Sequence, residues 1–115
     1  MTTPTTQAGE DHVFAALASP VRRQVLQLLR EHGPRPVNDL AGHFDMTRPS
    51  FSEHLRVLRE AGLVGERRAG RQRVYRLEAE PLTEVRNWLH PFEQFWRERL
   101  TELGGVLDTL DTEEP

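Results

Sequence analysis

At 115 residues, with 37% hydrophobic and 29% charged side chains, the chain has the size and mix of one compact domain. No apolar run approaches the roughly 20 residues of a bilayer span, and the Thr-rich start, Met1 to Gly9, lacks the basic and apolar regions of a secretory signal, so a cytoplasmic protein with no membrane partner is expected. Without cysteine there is no disulfide, thiolate metal site or cysteine nucleophile. The net charge of −3 hides a segregation, because Ser19 to Arg76 holds 12 arginines against 6 acids and the remainder 3 against 12. A basic middle between acidic flanks suits nucleic-acid binding by the middle segment; an unevenly charged, solvated surface is the plainer alternative.

Residues 1–10 read as a disordered tail. Asp11 can cap a short helix with Val13, Phe14 and Leu17 at helical spacing. Ser19-Pro20 is a second start signal, Ser as cap and Pro at the first helical position, where it has no amide hydrogen to lose. The helix it opens places Val21, Val25, Leu28 and Leu29 on one stripe with Leu26 beside it, and Gly33-Pro34-Arg35-Pro36 stops it. A short helix follows, capped by Asn38 and turning Leu40, Ala41 and Phe44 inward. Asp45-Met46 makes a tight turn in which Asp tolerates the left-handed conformation.

Thr47 caps the next helix, Arg48 to about Ala61, whose inner positions Phe51, Leu55 and Leu58 recur at i, i+4, i+7. Its other faces carry Arg48, Ser50, Ser52, Glu53, Arg56 and Arg59, and Gly62 ends it. Leu63–Arg68 and Gln72–Leu77, joined by Ala69-Gly70-Arg71, form a β-hairpin with arginines at its tip. Val74 and Arg76 should face one way, Arg73, Tyr75 and Leu77 the other. This order of elements is that of a winged helix–turn–helix, mainly α with a small β-hairpin (α+β). One domain is expected over 11–110, with the reading helix at about 48–61 and the wing at about 63–77.

Pro81 opens the last part, C-terminal helices at about 81–110. Leu82, Val85, Leu89, Phe92, Trp96, Leu100, Leu103, Leu107 and Leu110 recur there at 3- and 4-residue steps, widened by Trp88, Phe95 and Val106. Pro91 should break or kink the helix near His90, and Gly104-Gly105 should weaken it further. Asp111 to Pro115 is a short acidic tail. A core of this size cannot cover so much aromatic and leucine surface, so burial in a homodimer is expected.

A helix with a polar cap, small hydroxyls near its N-terminus and outward arginines fits the major groove of B-DNA. Arg48 can take a guanine in bidentate fashion. Ser50 and Ser52 can contact bases or phosphates, Arg56 the backbone, and Arg68, Arg71 and Arg73 the flanking phosphates or minor groove.

The run Leu17-Ala18-Ser19-Pro20-Val21-Arg22-Arg23-Gln24-Val25-Leu26 resembles the opening of ArsR/SmtB-type bacterial repressors. So do Phe51-Ser52-Glu53-His54-Leu55-Arg56-Val57-Leu58-Arg59-Glu60-Ala61-Gly62-Leu63-Val64 and Gly70-Arg71-Gln72-Arg73-Val74-Tyr75-Arg76-Leu77. The resemblance implies a homodimeric, sequence-specific repressor of double-stranded DNA, binding a pseudo-palindromic operator, with the first and last helices as N- and C-terminal dimerisation helices. Phe14, Leu17, Leu89, Phe92, Phe95, Trp96, Leu100, Leu103 and Leu107 would then form the interface.

The family's base-reading positions fall on Arg48, Pro49, Ser52 and Glu53, with Thr47, Ser50 and Arg56 around them. Pro49 contributes only shape. Glu53 departs from the family's more frequent Arg, His or Gln, and either accepts from a cytosine amine or pairs with Arg56 or Arg59. The family's metal sensing does not carry over. The chain has no cysteine, and His90-Pro91-Phe92-Glu93 is half of the zinc pattern without its Asp-x-His, so no metal and no cofactor is expected. The aromatic segment from Trp88 to Leu100 resembles the metal-free branch, which includes autorepressors of the sporulation-delay type. Its stripe can also line a pocket for a small-molecule effector. A winged-helix module that binds another protein and a metal- or ligand-responsive repressor are the alternatives. No phosphate loop, zincin or nucleophile-elbow motif supports an enzyme.

Overall fold

The computed structural model describes the backbone of residues 5–112 and the side chains of residues 11–104. Its elements run α1 (Thr5–Leu17), α2 (Pro20–His32), β1 (Arg35–Pro36), α3 (Val37–Ala41), α4 (Arg48–Glu60), β2 (Val64–Ala69), β3 (Gln72–Leu77) and α5 (Leu82–Thr112). The chain divides into two compact units, one ending at Val85 and one beginning at Arg86.

In the first unit the helix signals act as read. Ser19 Oγ accepts from the Arg22 amide at 3.3 Å, with Pro20 in the first turn. Thr47 Oγ1 accepts from the Ser50 amide at 3.3 Å and donates to Ser50 Oγ at 3.0 Å. Gly33 and Gly62 close α2 and α4 with φ of 78° and 74°, a region where a side chain is strained. The core gathers Val13 and Ala16 of α1, Val25, Leu26 and Leu29 of α2, Leu40 of α3, Phe51, Leu55 and Leu58 of α4, then Leu63, Val64 and Tyr75. Phe44 packs on Phe51 with ring centroids 5.3 Å apart.

Several expectations are corrected. α1 begins at Thr5, inside the stretch read as a tail, and Asp11 lies within it rather than capping it. Once Val13 and Ala16 dock the C-terminal half, each further residue adds a hydrogen bond to a helix already nucleated. Asn38 lies inside α3, whose cap position is Pro36, held extended by pairing with β3. The Asp45 turn needs no left-handed residue, because among the described residues only glycines have positive φ; its chain reversal begins with the His43 and Phe44 amides donating back to Leu40 and Ala41.

β1 carried no sequence signal. It completes a three-stranded antiparallel sheet in the order β1-β3-β2. The central position of β3 explains why Val74 and Tyr75 are both buried, against the simple alternation expected. The hairpin turn is two residues, Gly70-Arg71, with Gly70 at φ 66° and Ala69 paired to Gln72. Positive φ at the first central residue alone is the sign pattern of a type II′ turn.

The C-terminal helix is also corrected. α5 runs unbroken from Leu82 to Thr112 through Pro91 and the glycine pair, so one helix stands where several were expected, and it takes in Asp111 and Thr112 of the expected tail. Pro91 removes a single amide, and the Asn87 carbonyl that would have received it belongs to an exposed residue, where water can replace the bond. On this unit Phe92, Phe95, Trp96, Leu100 and Leu103 are 43–63% exposed. Trp88, Phe92 and Trp96 form a ladder with centroids 4.9 and 6.4 Å apart. Leu89 is half-buried, as are Phe14 and Leu17 of α1, while the side chain of Leu107 lies outside the described residues. Among the described residues no helix is long and apolar enough to cross a membrane.

Candidate nucleic-acid interface

The inner stripe of α4 fixes its rotation about its axis, and this decides what faces outward. With Phe51, Leu55 and Leu58 in the core, Thr47, Arg48, Pro49, Ser50, Ser52, Glu53 and Arg56 are all exposed. Arg68, Arg71 and Arg73 are exposed on the wing. A groove of about 310 Å³ runs between the two elements, lined by Ser52, Leu55 and Arg59 of α4, Arg71, Arg73 and Tyr75 of the wing, and the start of α3. The wing is braced across it, because Arg59 Nη1 donates to Glu66 Oε1 at 3.0 Å. The Tyr75 hydroxyl holds the Glu66 carboxyl below its ordinary value; burial opposes it, and the Arg59 and Arg73 guanidiniums add smaller effects in the same direction as Tyr75. Burial, and then Glu66, push the Tyr75 phenol up.

The arginines of the basic segment divide by partner. Arg22 and Arg23 donate to backbone carbonyls at the end of α1. Arg30, Arg56, Arg59 and Arg76 are paired with carboxylates. Arg35, Arg48, Arg67, Arg68, Arg71 and Arg73 have no carboxylate at ion-pair distance among the described residues. Five of these six stand at the start of α4 or on the wing. Arg68 is paired directly opposite Arg73 in the β2–β3 ladder, a juxtaposition of like charge that costs stability unless an anion lies between them.

Glu53 and Arg56 take the local option that helical spacing offers. Arg56 Nε donates to Glu53 Oε2 at 3.0 Å, a second guanidinium nitrogen reaches Glu53 Oε1, and Nη1 stands 2.7 Å from Glu60 Oε1. The Arg56 bond holds the Glu53 carboxyl below its ordinary value, and the two carboxylates raise Arg56 in turn. Arg56 is therefore a neutralised group at rest, whereas Arg48, one helical turn before Ser52, has no carboxylate at ion-pair distance among the described residues.

Residues 19–66 match the bacterial regulatory proteins of the arsR family. The chain is 38% identical over 104 residues to the HTH-type transcriptional regulator Rv2034 of Mycobacterium tuberculosis, covering 90% of this chain and 94% of that one. The chain belongs to the ArsR family. The transcriptional repressor SdpR of Bacillus subtilis is 35% identical over 82 residues, 71% of this chain and 90% of that one. The crystal structure of an ArsR family transcriptional regulator superposes with a TM-score of 0.69 at 38% identity, covering 84% of this chain and 95% of the other. This ArsR family chain is thus a DNA-binding transcriptional regulator with a winged helix–turn–helix, not an enzyme.

Sequence reasoning missed Arg67 as an unpaired wing cation, although it adjoins Arg68 in the same run. It also missed Arg59 and Gln72 on the groove wall, which only the pairing of α4 with the wing brings together. Among the described residues no three His, Asp or Glu side chains stand close enough to share a metal ion. His90 Nε2 lies 3.5 Å from the Gln94 amide one turn further along α5.

Proposed function

We propose that this chain is a sequence-specific, metal-independent repressor that acts as a homodimer on a pseudo-palindromic operator, its own promoter among the targets. Two reading helices would enter successive major grooves about one helical turn apart. The observation that carries the proposal is the sorting of the arginines. Of the six with no carboxylate at ion-pair distance among the described residues, five, Arg48, Arg67, Arg68, Arg71 and Arg73, stand at the start of α4 or on the wing, the two elements that flank the groove, while Arg30, Arg56, Arg59 and Arg76 are paired. Arg48 would read a guanine edge, Ser52 and Ser50 would fix the helix on bases and phosphates, and Arg67, Arg68, Arg71 and Arg73 would follow the backbone. The match of Rv2034 and SdpR over nine-tenths of their own lengths supports a whole-chain resemblance to regulators of this kind. The exposed aromatic face of α5, with Phe14 and Leu17 of α1, would be covered by the second copy.

Substitution separates the two kinds of contact. On a duplex selected by the protein from a random pool, Arg48→Ala should lose about 1–3 kcal/mol of discrimination at one base pair of each half-site. Arg71→Ala should weaken all sequences alike and lower the log–log salt slope of the homodimer by about two, about one for each protomer. Anisotropy titrations of single-base variants of the duplex read both. The same uniform loss from both substitutions would remove Arg48 from base reading. Binding unchanged by chelator or added zinc is expected, and a metal-dependent change in affinity would overturn metal independence.

A further inference from the structure

Arg22, in the first turn of α2, occupies the junction of three helices. Its Nε donates to the Ala16 carbonyl at 2.8 Å and Nη2 to the Ala15 carbonyl at 2.9 Å, both in the last turn of α1, where the Ala15 carbonyl also accepts from the Ala18 amide. Its Nη1 stands 3.1 Å from Nδ1 of His54, 32 residues away on α4. A guanidinium has donors only, so His54 Nδ1 must accept, and the ring is neutral with its proton on Nε2. We infer that Arg22 and His54 form a strut positioning the reading helix against α1, and that protonation of His54 releases it, so that specific DNA affinity falls in mild acid. The inference rests on α4 being the DNA-reading helix.

The charged groups acting on His54 are Arg22 from α2 and Glu53 from its own helix, and Glu53 is engaged by Arg56. Burial, then the Arg22 charge, hold the imidazole below its ordinary value, with Glu53 opposing. The neutral form therefore prevails at and above pH 7. As pH falls through the lowered folded-state value, a proton enters Nδ1, the acceptor is lost and two cations face each other. His54 lies two residues from Ser52 and one from Glu53, so a shift of its backbone moves the exposed face directly. The sign of the effect is diagnostic. Protonation of histidines elsewhere adds positive charge and strengthens DNA binding, whereas this strut predicts weakening.

The test uses the full chain and a duplex selected from a random pool at pH 8, titrated by anisotropy from pH 8 to pH 5 at constant ionic strength. The His54 ring is followed by NMR in the free protein. The wild type should lose about tenfold in affinity per reading helix, about a hundredfold for the homodimer, for each unit that pH falls below the His54 value. His54→Gln, whose amide oxygen accepts from Arg22 without titrating, should keep the pH 8 affinity and remove the acid loss. Arg22→Gln should bind weakly at every pH and move the His54 titration upward. A wild-type profile that is flat or rises in acid would overturn the strut without recourse to any variant, as would an unchanged acid loss in His54→Gln. Failure to select any duplex at pH 8 would remove the DNA reading itself, a result distinct from a duplex bound equally at every pH.

Discussion

Phe51→Ala should lower the stability of the fold by about 3–5 kcal/mol, a large part of the total for a domain of this size. The ring is 1% exposed, tilted against Phe44, and belongs to the core cluster that includes Leu55 and Leu58 of its own helix and residues of α1 and α2. Removing it leaves a void at the point where α4 is anchored, and rigid backbone on several sides limits collapse. Urea unfolding followed by circular dichroism measures the loss. The adjacent Ser52→Ala provides the contrast. Ser52 is exposed on the groove wall, so its loss should change stability by no more than about 0.5 kcal/mol while weakening binding to the selected duplex. If Phe51→Ala unfolded at the wild-type urea concentration, α4 would not be held by the packing described.

The second large effect belongs to α5. Trp96→Glu with Leu100→Glu places two charges on a face where the native side chains are 48% and 63% exposed and flanked by Phe92, Phe95 and Leu103. An apolar face of this extent on a free chain invites association, and a second copy would bury it. The double variant should sediment as a monomer and bind the palindromic duplex about 100-fold more weakly, because the two half-sites are no longer engaged by linked reading helices. Its far-ultraviolet spectrum and its urea midpoint for the unit ending at Val85 should change little. A wild type that sediments as a monomer, or a double variant that remains a dimer, would contradict the homodimer.

The parts of the fold legible in the sequence are those fixed by local chemistry. Ser19-Pro20 and Thr47 are caps whose function lies within three residues, and Phe51, Leu55 and Leu58 mark the buried face of α4 by spacing alone. Gly70 demands a turn, and the strands beside it follow. What escaped was set at long range. Arg35–Pro36 becomes a strand only because β3 offers an unpaired edge, and a two-residue segment containing proline has no periodicity to read. Asn38 has the chemistry of a cap, yet that pairing moves the start of α3 two residues earlier, to Val37, with Pro36 at the cap position. Pro91 carries a strong local breaking signal, but the lost bond lies on a solvated face and the helix continues.

The site follows the same division. Exposure of Arg48, Ser52 and the wing arginines was readable from the phase of α4 and the position of the hairpin tip. The pairing of Glu53 with Arg56 was one of two options that spacing allowed. The bracing of the wing through Arg59, Glu66 and Tyr75 joins residues from three elements, and the Arg22–His54 contact joins residues 32 apart. Neither is visible until the fold brings them together.

The most direct measurement is the affinity of the intact wild-type chain for a selected duplex and for a shuffled duplex of the same composition, titrated side by side at several salt concentrations. A preference of about a thousandfold or more, with a log–log salt slope of several phosphates, is the expected result for bare arginines around a reading helix. Equal, weak and salt-sensitive binding to both duplexes, or no binding to either at low salt, would contradict it.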